Sequence, residues 1–253
     1  FTLLIGFASY VIIKGFTGAT PEMFAFARKG SIGNQLFNTI YLVFISLLFS
    51  IPLGVTAGIY LAMYAKKGFL TKFLRICIET LSSLPSIVVG LFGYLVFLVF
   101  FGLGKSLLAG ALSVSILAIP VITTTTEDAI NGLPGHYLQA SLGLGATRWQ
   151  SIYKVVIPAA GSGILSGIIL GLARAFGEAL AVAMVIGQTT ALPKGLFSTT
   201  KSLTTEIAAQ MGNATEGGEM KTALWTMALL LFLLSLLFIL LIHYFSRPKK
   251  DKE

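Results

Sequence analysis

The chain has 253 residues, 55% of them hydrophobic and 11% charged, with a net charge of +8 and a mean hydropathy of +0.87. Soluble domains run at roughly 45–50% apolar and 25% charged, so this composition excludes a water-soluble globular domain and indicates an integral membrane protein. Cys77 is the only cysteine, which excludes an intrachain disulfide or a CxxC centre, and His136 and His243 stand too far apart to form a ligand pair.

A membrane-crossing helix needs about 20 largely apolar residues. The opening run, 1–13, is shorter than that and is expected to be the outer part of a helix whose start is missing. It lacks the charged start and the A-x-A-like end of a signal peptide. Complete spans are expected at residues 36–64, 81–103, 107–124, 164–188 and 223–244. Pro52, Pro85 and Pro120 fall in or near them and are expected to kink or interrupt the helices. The hydroxyls of Thr123 to Thr126 are expected to bond back to their own helix.

The basic residues set an orientation. Lys66, Lys67, Lys72, Arg75, Arg148, Lys154, Arg247, Lys249, Lys250 and Lys252 fall on one side of these spans, in dense clusters beside span ends. Lys14, Arg28, Lys29, Lys105, Lys194, Lys201 and Lys221 are scattered over the longer loops of the other side, together with Glu22, Glu206, Glu216 and Glu219. By the positive-inside rule the first group is cytoplasmic. Basic residues beside spans ordinarily face anionic lipid headgroups, and no basic-aromatic platform is present, so membrane lipid is an expected partner and nucleic acid is not.

Gly102-Leu103-Gly104-Lys105-Ser106 ends like a phosphate-binding loop, but Val99 occupies the position of the required first glycine, and the stretch is a short turn between spans. No H-E-x-x-H or G-x-S-x-G motif occurs. The chain is therefore read as a non-enzyme that needs no cofactor or metal.

The connection at 127–162 is long enough to carry structure of its own. Leu133-Pro134 opens a short helix, with Pro at its first turn and Tyr137, Leu138, Ser141 and Leu142 at helical spacing. Gly143 and Gly145 break it; a second helix is expected over 146–156, with Pro158 as its stop. Two readings fit such a bracket equally: a ridge that seats in a groove of another protein, or an amphipathic loop resting among lipid headgroups on Trp149 and Tyr153.

The spacing of Gln139, Ala140, Ser141, Gly145, Val155, Ile157 and Pro158 resembles the coupling motif E-A-A-x3-G-x9-I-x-L-P of ABC-importer permeases. Ala140, Gly145 and Pro158 match it unchanged; Gln139 stands for its Glu, Ser141 for its second Ala, Val155 for its Ile and Ile157 for its Leu. The resemblance implies that this loop docks on an ATP-hydrolysing subunit and passes its closure to the spans. The missing carboxylate at Gln139 removes any salt bridge of the family's Glu. The stretches SSLPSIVVGLFGYLVF, SLLAGALSVSILAIPVITTTTEDAI, ASLGLGATRWQSIYKVVIPAA and LARAFGEALAVAMVIG extend the likeness over most of the chain. Together they resemble the permease subunits of the phosphate-specific ABC importer, with A-type features in the middle and C-type features towards the end.

Arg174 and Glu178 lie one helical turn apart within the span 164–188. An arginine at a span centre costs roughly 2.5–3.5 kcal/mol on insertion scales, so such residues face a bundle interior or a pathway. One reading is a mutually neutralised i,i+4 pair that locks helices together. The other is an anion path, because a guanidinium fork matches phosphate oxygens. RAFGE matches the family's R-A-x-G-E, and the resemblance implies that Arg174 and Glu178 belong to the phosphate pathway. In the same span Gly163, Gly167, Gly171, Ala175, Ala179, Ala183 and Gly187 recur every fourth residue and are expected to let another helix approach closely.

The expectation is thus an all-α polytopic bundle of the type I importer (MetI-like) class, with about six spans of which the first is truncated. Residues 1–33 form the partial first span and an external loop, 34–246 the permease domain and 247–253 a basic cytoplasmic tail, both termini being cytoplasmic. The resemblance implies an inner-membrane location and these partners: two ATP-binding subunits, a homologous second permease, an external phosphate-binding protein, and phosphate itself. Rival expectations are a permease for sulfate or molybdate and an ion-coupled carrier or channel, though the internal repeat that carriers often show is not evident.

Overall fold

The computed structural model describes residues 2–26, 32–66, 68–215 and 217–245. Arg28, Lys29, Lys67, Glu216 and the tail at 247–253 lie outside them. Among the described residues all regular structure is helical. The helices are α1 (Thr2–Thr17), α2 (Ile32–Met63), α3 (Phe69–Ser83), α4 (Ser86–Gly93), α5 (Leu107–Asn131), α6 (His136–Gly143), α7 (Arg148–Ser151), α8 (Ile157–Ala159), α9 (Gly161–Gly177), α10 (Leu180–Val185), α11 (Leu203–Gln210) and α12 (Glu219–Phe245). Wider, π-type turns continue α4 over Tyr94–Phe100 and α7 over Ile152–Val156.

Three helices are long and apolar enough to cross a membrane unaided, α2, α5 and α12. They answer to the spans expected at 36–64, 107–124 and 223–244. Helix α5 runs seven residues past its expected end, into Thr125–Asn131. Three of its threonines bond back as expected, Thr123 Oγ1 donating to the Ile119 carbonyl at 2.8 Å, Thr124 Oγ1 to that of Pro120 at 3.0 Å and Thr125 Oγ1 to that of Val121 at 2.7 Å, whereas the buried Thr126 hydroxyl makes no such bond.

The other two expected spans are broken. The stretch 81–103 is divided at Leu84-Pro85, where Leu84 is extended (φ −64°, ψ 136°). Proline has no N–H to offer the preceding turn and pushes the residue before it out of the helical region. The stretch 164–188 is interrupted after Gly177, and Glu178 caps the shorter helix α10 that follows. The second bracket helix runs on from α7 through the π-type turn and α8 and ends at Ala159, one residue after Pro158, where the chain turns by 68° into α9.

Two compact units divide the chain. The first comprises Phe1–Ser46, Pro85–Ser115 and Arg174–Leu237. In it the start of α2 packs with α11 and α12 through Ile32, Leu203, Leu224 and Met227. Helix α1 lies on α12, Tyr10 meeting the Trp225 ring edge-on at 5.2 Å while Thr226 Oγ1 donates to the Gly15 carbonyl.

The loop 186–202 folds back over the start of α5. The N–H groups of Leu107 and Leu108, which have no partner within their own helix, donate to the carbonyls of Ser198 and Leu196 at 2.9 Å each. From α2, Asn34 Nδ2 donates to the Thr190 carbonyl, and Asn38 Nδ2 to those of Ala191 and Lys201. At the end of this loop Lys201 and Glu206 pair at 2.8 Å with side chains only 9% and 6% exposed.

The second unit comprises Leu47–Leu84, Ile116–Ala173 and Phe238–Glu253. Here α5 runs between α2 and α9 at backbone contact. A methyl group built on Gly58 of α2 would lie 2.6 Å from Thr126 Cβ, and one built on Gly163 of α9 would lie 2.5 Å from Ala129 Cβ. Gly54 of α2 and Gly167 and Gly171 of α9 face α5 in the same way. The expected small-residue stripe thus packs on a helix of this chain over its first three positions. A core of Met63, Ile130, Ile152, Val156, Ala160 and Ile164 closes the end of the unit. On its flank the exposed Arg75 of α3 bonds the buried Glu127.

Two outcomes are expected. Overpacking a filled interior costs typically 1–3 kcal/mol, so Gly58→Val should lower the unfolding midpoint of the purified protein in detergent, read by tryptophan fluorescence. Phe44→Leu, at a position 65% exposed, should leave it unchanged. Removing one partner of a buried pair costs about 3–5 kcal/mol because the other charge is stranded. Lys201→Met and Glu206→Gln should each destabilise strongly in the same assay, and the double variant Lys201→Met/Glu206→Leu should recover much of the loss.

Candidate functional site

Arg174 lies in the last turn of α9, half-buried, and among the described residues its guanidinium has no hydrogen bond or ion pair. The i,i+4 pairing with Glu178 requires a continuous helix across both residues, and the helix stops between them. Gly177 is the last α9 residue; Glu178 N–H still reaches the Ala175 carbonyl at 3.4 Å, but Ala179 sits at φ −113°. The Glu178 carboxylate turns to the new helix instead, Oε1 accepting the N–H of Ala181 at 3.2 Å. An acidic acceptor at a helix start satisfies donors that the helix cannot.

The break is held in place from α11 of the same unit. Thr204 Oγ1 donates to the Glu178 carbonyl at 2.8 Å, and Thr204 belongs to the first turn of α11. Ser202 caps that helix, its hydroxyl accepting from Thr205 N–H while Thr205 Oγ1 accepts from Ser202 N–H. Helix α10 in turn lies against α4, where Gly90 meets the backbone of Ala181. The chemical result is a cation in a half-enclosed position with its donors unspent, beside a carboxylate committed to a helix cap.

The bracket is built from α6, a turn at Gly145, and α7 with its π-type continuation. Gly145 has φ +83°, a left-handed conformation that suits glycine and few other residues. Across this elbow the hydroxyls of Ser141 and Ser151 bond at 2.8 Å, pinning the two helices together. The expected coupling residues divide by direction. Gln139, Ala140 and Pro158 are exposed, as are Leu144, Trp149 and Tyr153 around them; Val155 and Ile157 are half-buried, and Ile157 packs on the core that contains Met63.

Several residues that organise these places were not singled out from the sequence. Thr147 and Gln150 form a reciprocal capping box at the start of α7, and Ser202 and Thr205 form another at α11. The T-x-x-Q spacing carries the signal for the first. Asn34 and Asn38 are polar residues at the head of an apolar helix, which is itself a sign of a specific partner. Arg148 bonds the Met63 carbonyl, a contact between residues 85 apart that no local pattern announces.

The family model of binding-protein-dependent transport system inner membrane components matches residues 50–250. The chain is 45% identical over 193 residues to the probable ABC transporter permease protein YqgI of Bacillus subtilis, an alignment covering 74% of this chain and 66% of the relative. It is 31% identical over 222 residues to the phosphate transport system permease protein PstC of Pasteurella multocida, covering 78% of this chain and 68% of that protein. It thus spans about two thirds of the length of these relatives. Its fold is similar to that of an inward-facing MetNI methionine ABC transporter, with a TM-score of 0.66 at 20% identity over 85% of this chain and 96% of the other. The chain belongs to the binding-protein-dependent transport system inner membrane component family: it is a membrane-embedded permease subunit of an ABC importer, a transport protein whose ATP hydrolysis is carried out by a separate subunit.

Proposed function

We propose that this permease carries inorganic phosphate, working beside a homologous second permease, two ATP-binding subunits and an external phosphate-binding protein. The observation that carries the reading is Arg174: a guanidinium kept half-buried at a break in an apolar span, with no protein partner among the described residues. A half-buried fork of donors left unspent suits a planar or tetrahedral oxyanion. The likeness to PstC of Pasteurella multocida supports phosphate among the oxyanions.

In this reading 34–246 is the permease domain, 127–162 its cytoplasmic coupling loop, and both termini are cytoplasmic. Gln139, Ala140, Ser141, Gly145, Val155, Ile157 and Pro158 form the element that meets the ATPase. Its closure moves the bracket and switches the central path between outward-open and inward-open states. The ligand's unequal affinity for those states couples ATP to transport. Arg174 takes the anion while the helix is broken after Gly177. When α9 and α10 straighten into one helix, Glu178 comes into i,i+4 register with Arg174, displaces the anion from the guanidinium and releases it.

A charge-assisted hydrogen bond contributes about 1.5–3 kcal/mol, which corresponds to roughly ten- to hundredfold in transport at subsaturating substrate. Arg174→Gln should therefore reduce ATP-driven uptake of radiolabelled phosphate into vesicles by that factor, in a complex that still assembles and hydrolyses ATP. Excess sulfate should leave wild-type uptake intact. Unchanged uptake in the variant would return Arg174 to a packing role, and inhibition by sulfate would widen the substrate to other oxyanions.

A further inference from the structure

Arg148 falls among the nine positions that the coupling motif leaves open between Gly145 and Val155, yet it makes the bracket's one long-range polar contact among the described residues. Its Nη2 donates to the carbonyl of Met63, the last residue of α2. The final carbonyls of a helix have no partner in their own helix and carry the negative end of its dipole, so a cation there is doubly favoured. The guanidinium carbon also lies 5.4 Å from the centroid of the Tyr64 ring, within cation–π range. Arginine is suited to both contacts at once, because its donors lie at the edge of a flat group whose face is free to meet a ring.

The surrounding bracket is stiff enough for this contact to matter. The Thr147–Gln150 box fixes the start of α7, and the Ser141–Ser151 bond ties α7 to α6. Four residues beyond Arg148, Ile152 enters the same apolar core as Met63. The end of α2 is therefore gripped twice by one short element, once through its terminal carbonyl and once through its last side chain.

We infer that Arg148 is a positioning residue that fastens the coupling bracket to the end of α2, so that the stroke of the ATPase is delivered to α2 as well as to α9. This rests on the coupling reading of the bracket. Arg148 touches neither substrate nor nucleotide in this scheme; it acts through the Met63 carbonyl and the Tyr64 ring.

The test uses the complete importer with Arg148→Gln, Arg148→Lys and Tyr64→Leu. One arm measures phosphate moved per ATP hydrolysed. The other places spin labels at positions 144 and 53, both exposed in this chain, in a Cys77→Ser background, and reads their separation with and without ATP. With the tie intact the two labels move as one body and their separation stays narrow and constant. Arg148→Gln should keep at least half of the ATPase rate while phosphate per ATP falls at least fivefold, and its label separation should broaden or shift when ATP binds. Arg148→Lys should fall between, since its ammonium can still donate to the carbonyl but has no flat face for the ring.

A wild-type transport ratio together with a narrow, constant separation in Arg148→Gln would overturn the inference. If that variant does not assemble, the same result in Arg148→Lys and Tyr64→Leu overturns it. Failure of the wild type to carry phosphate would defeat the substrate reading alone, because the label separation still decides the role of Arg148.

Discussion

The close approach of helix backbones on either side of α5 is the constraint on which the rest of the structure depends. In a membrane, helices gain little from hiding apolar surface, because lipid tails are as apolar as leucine, and association relies on packing at short range. Gly54 and Gly58 on α2 and Gly163, Gly167 and Gly171 on α9 remove the side chains that would hold α5 away. The most apolar window of α5 is accordingly 67% buried, against 39% for α2 and 22% for α12. In the first unit the same device recurs where Gly110 of α5 meets Leu42 and Ile186, and where Gly93 meets Ser113. Packing this tight is not continuously deformable, so movements of these helices are displacements of whole segments at breaks, not gradual bending.

Breaks in a membrane helix expose backbone groups that lipid cannot satisfy, and each such group costs several kcal/mol unless the protein supplies a partner. Three helix ends among the described residues come with such partners. Glu178 accepts from the start of α10 and has its own carbonyl covered by Thr204; the first donors of α5 are met by carbonyls of the loop 186–202; Met63 at the end of α2 receives Arg148. Glu178, Thr204 and Arg148 are polar residues placed where the backbone needs them. Their positions are explained by backbone accounting before any transport role is invoked.

That accounting also decides what was legible in the sequence. Hydropathy located α2, α5 and α12, because each is a long run whose burial in lipid or protein needs no partner. The small-residue period revealed that α9 meets another helix, and glycine at 145 marked the elbow of the bracket. The interruption after Gly177 was not legible, since LARAFGEALAVAMVIG is apolar and helix-compatible from end to end. What tips the balance is a side-chain cap from Glu178 and a hydroxyl from Thr204, 26 residues further on. The polar contacts of Asn34, Asn38 and Arg148 join residues 85 to 163 apart and leave no periodic trace.

The arrangement of α9 shows why a break and a bracket belong to one mechanism in the proposed importer. The helix begins at Gly161, directly after the bracket's 68° turn, and ends at Gly177, three residues past Arg174. Seventeen residues at 1.5 Å each make a rod of about 25 Å, and the notches at Gly163, Gly167 and Gly171, filled by Ala129, Thr125 and Ile122, key it to α5. In the proposed mechanism a displacement applied at Gly161 is passed along this rod to Gly177. The line is interrupted at the two-residue gap before α10, which the Glu178 cap and the Thr204 bond hold. In the proposed mechanism this is the junction at which Arg174 and Glu178 either face each other or stand apart. A continuous helix at this point would transmit the same push to α10 and leave the pair permanently closed. In the proposed reading the interruption lets the guanidinium be free in one state and occupied in another, the property that a carrier of anions requires.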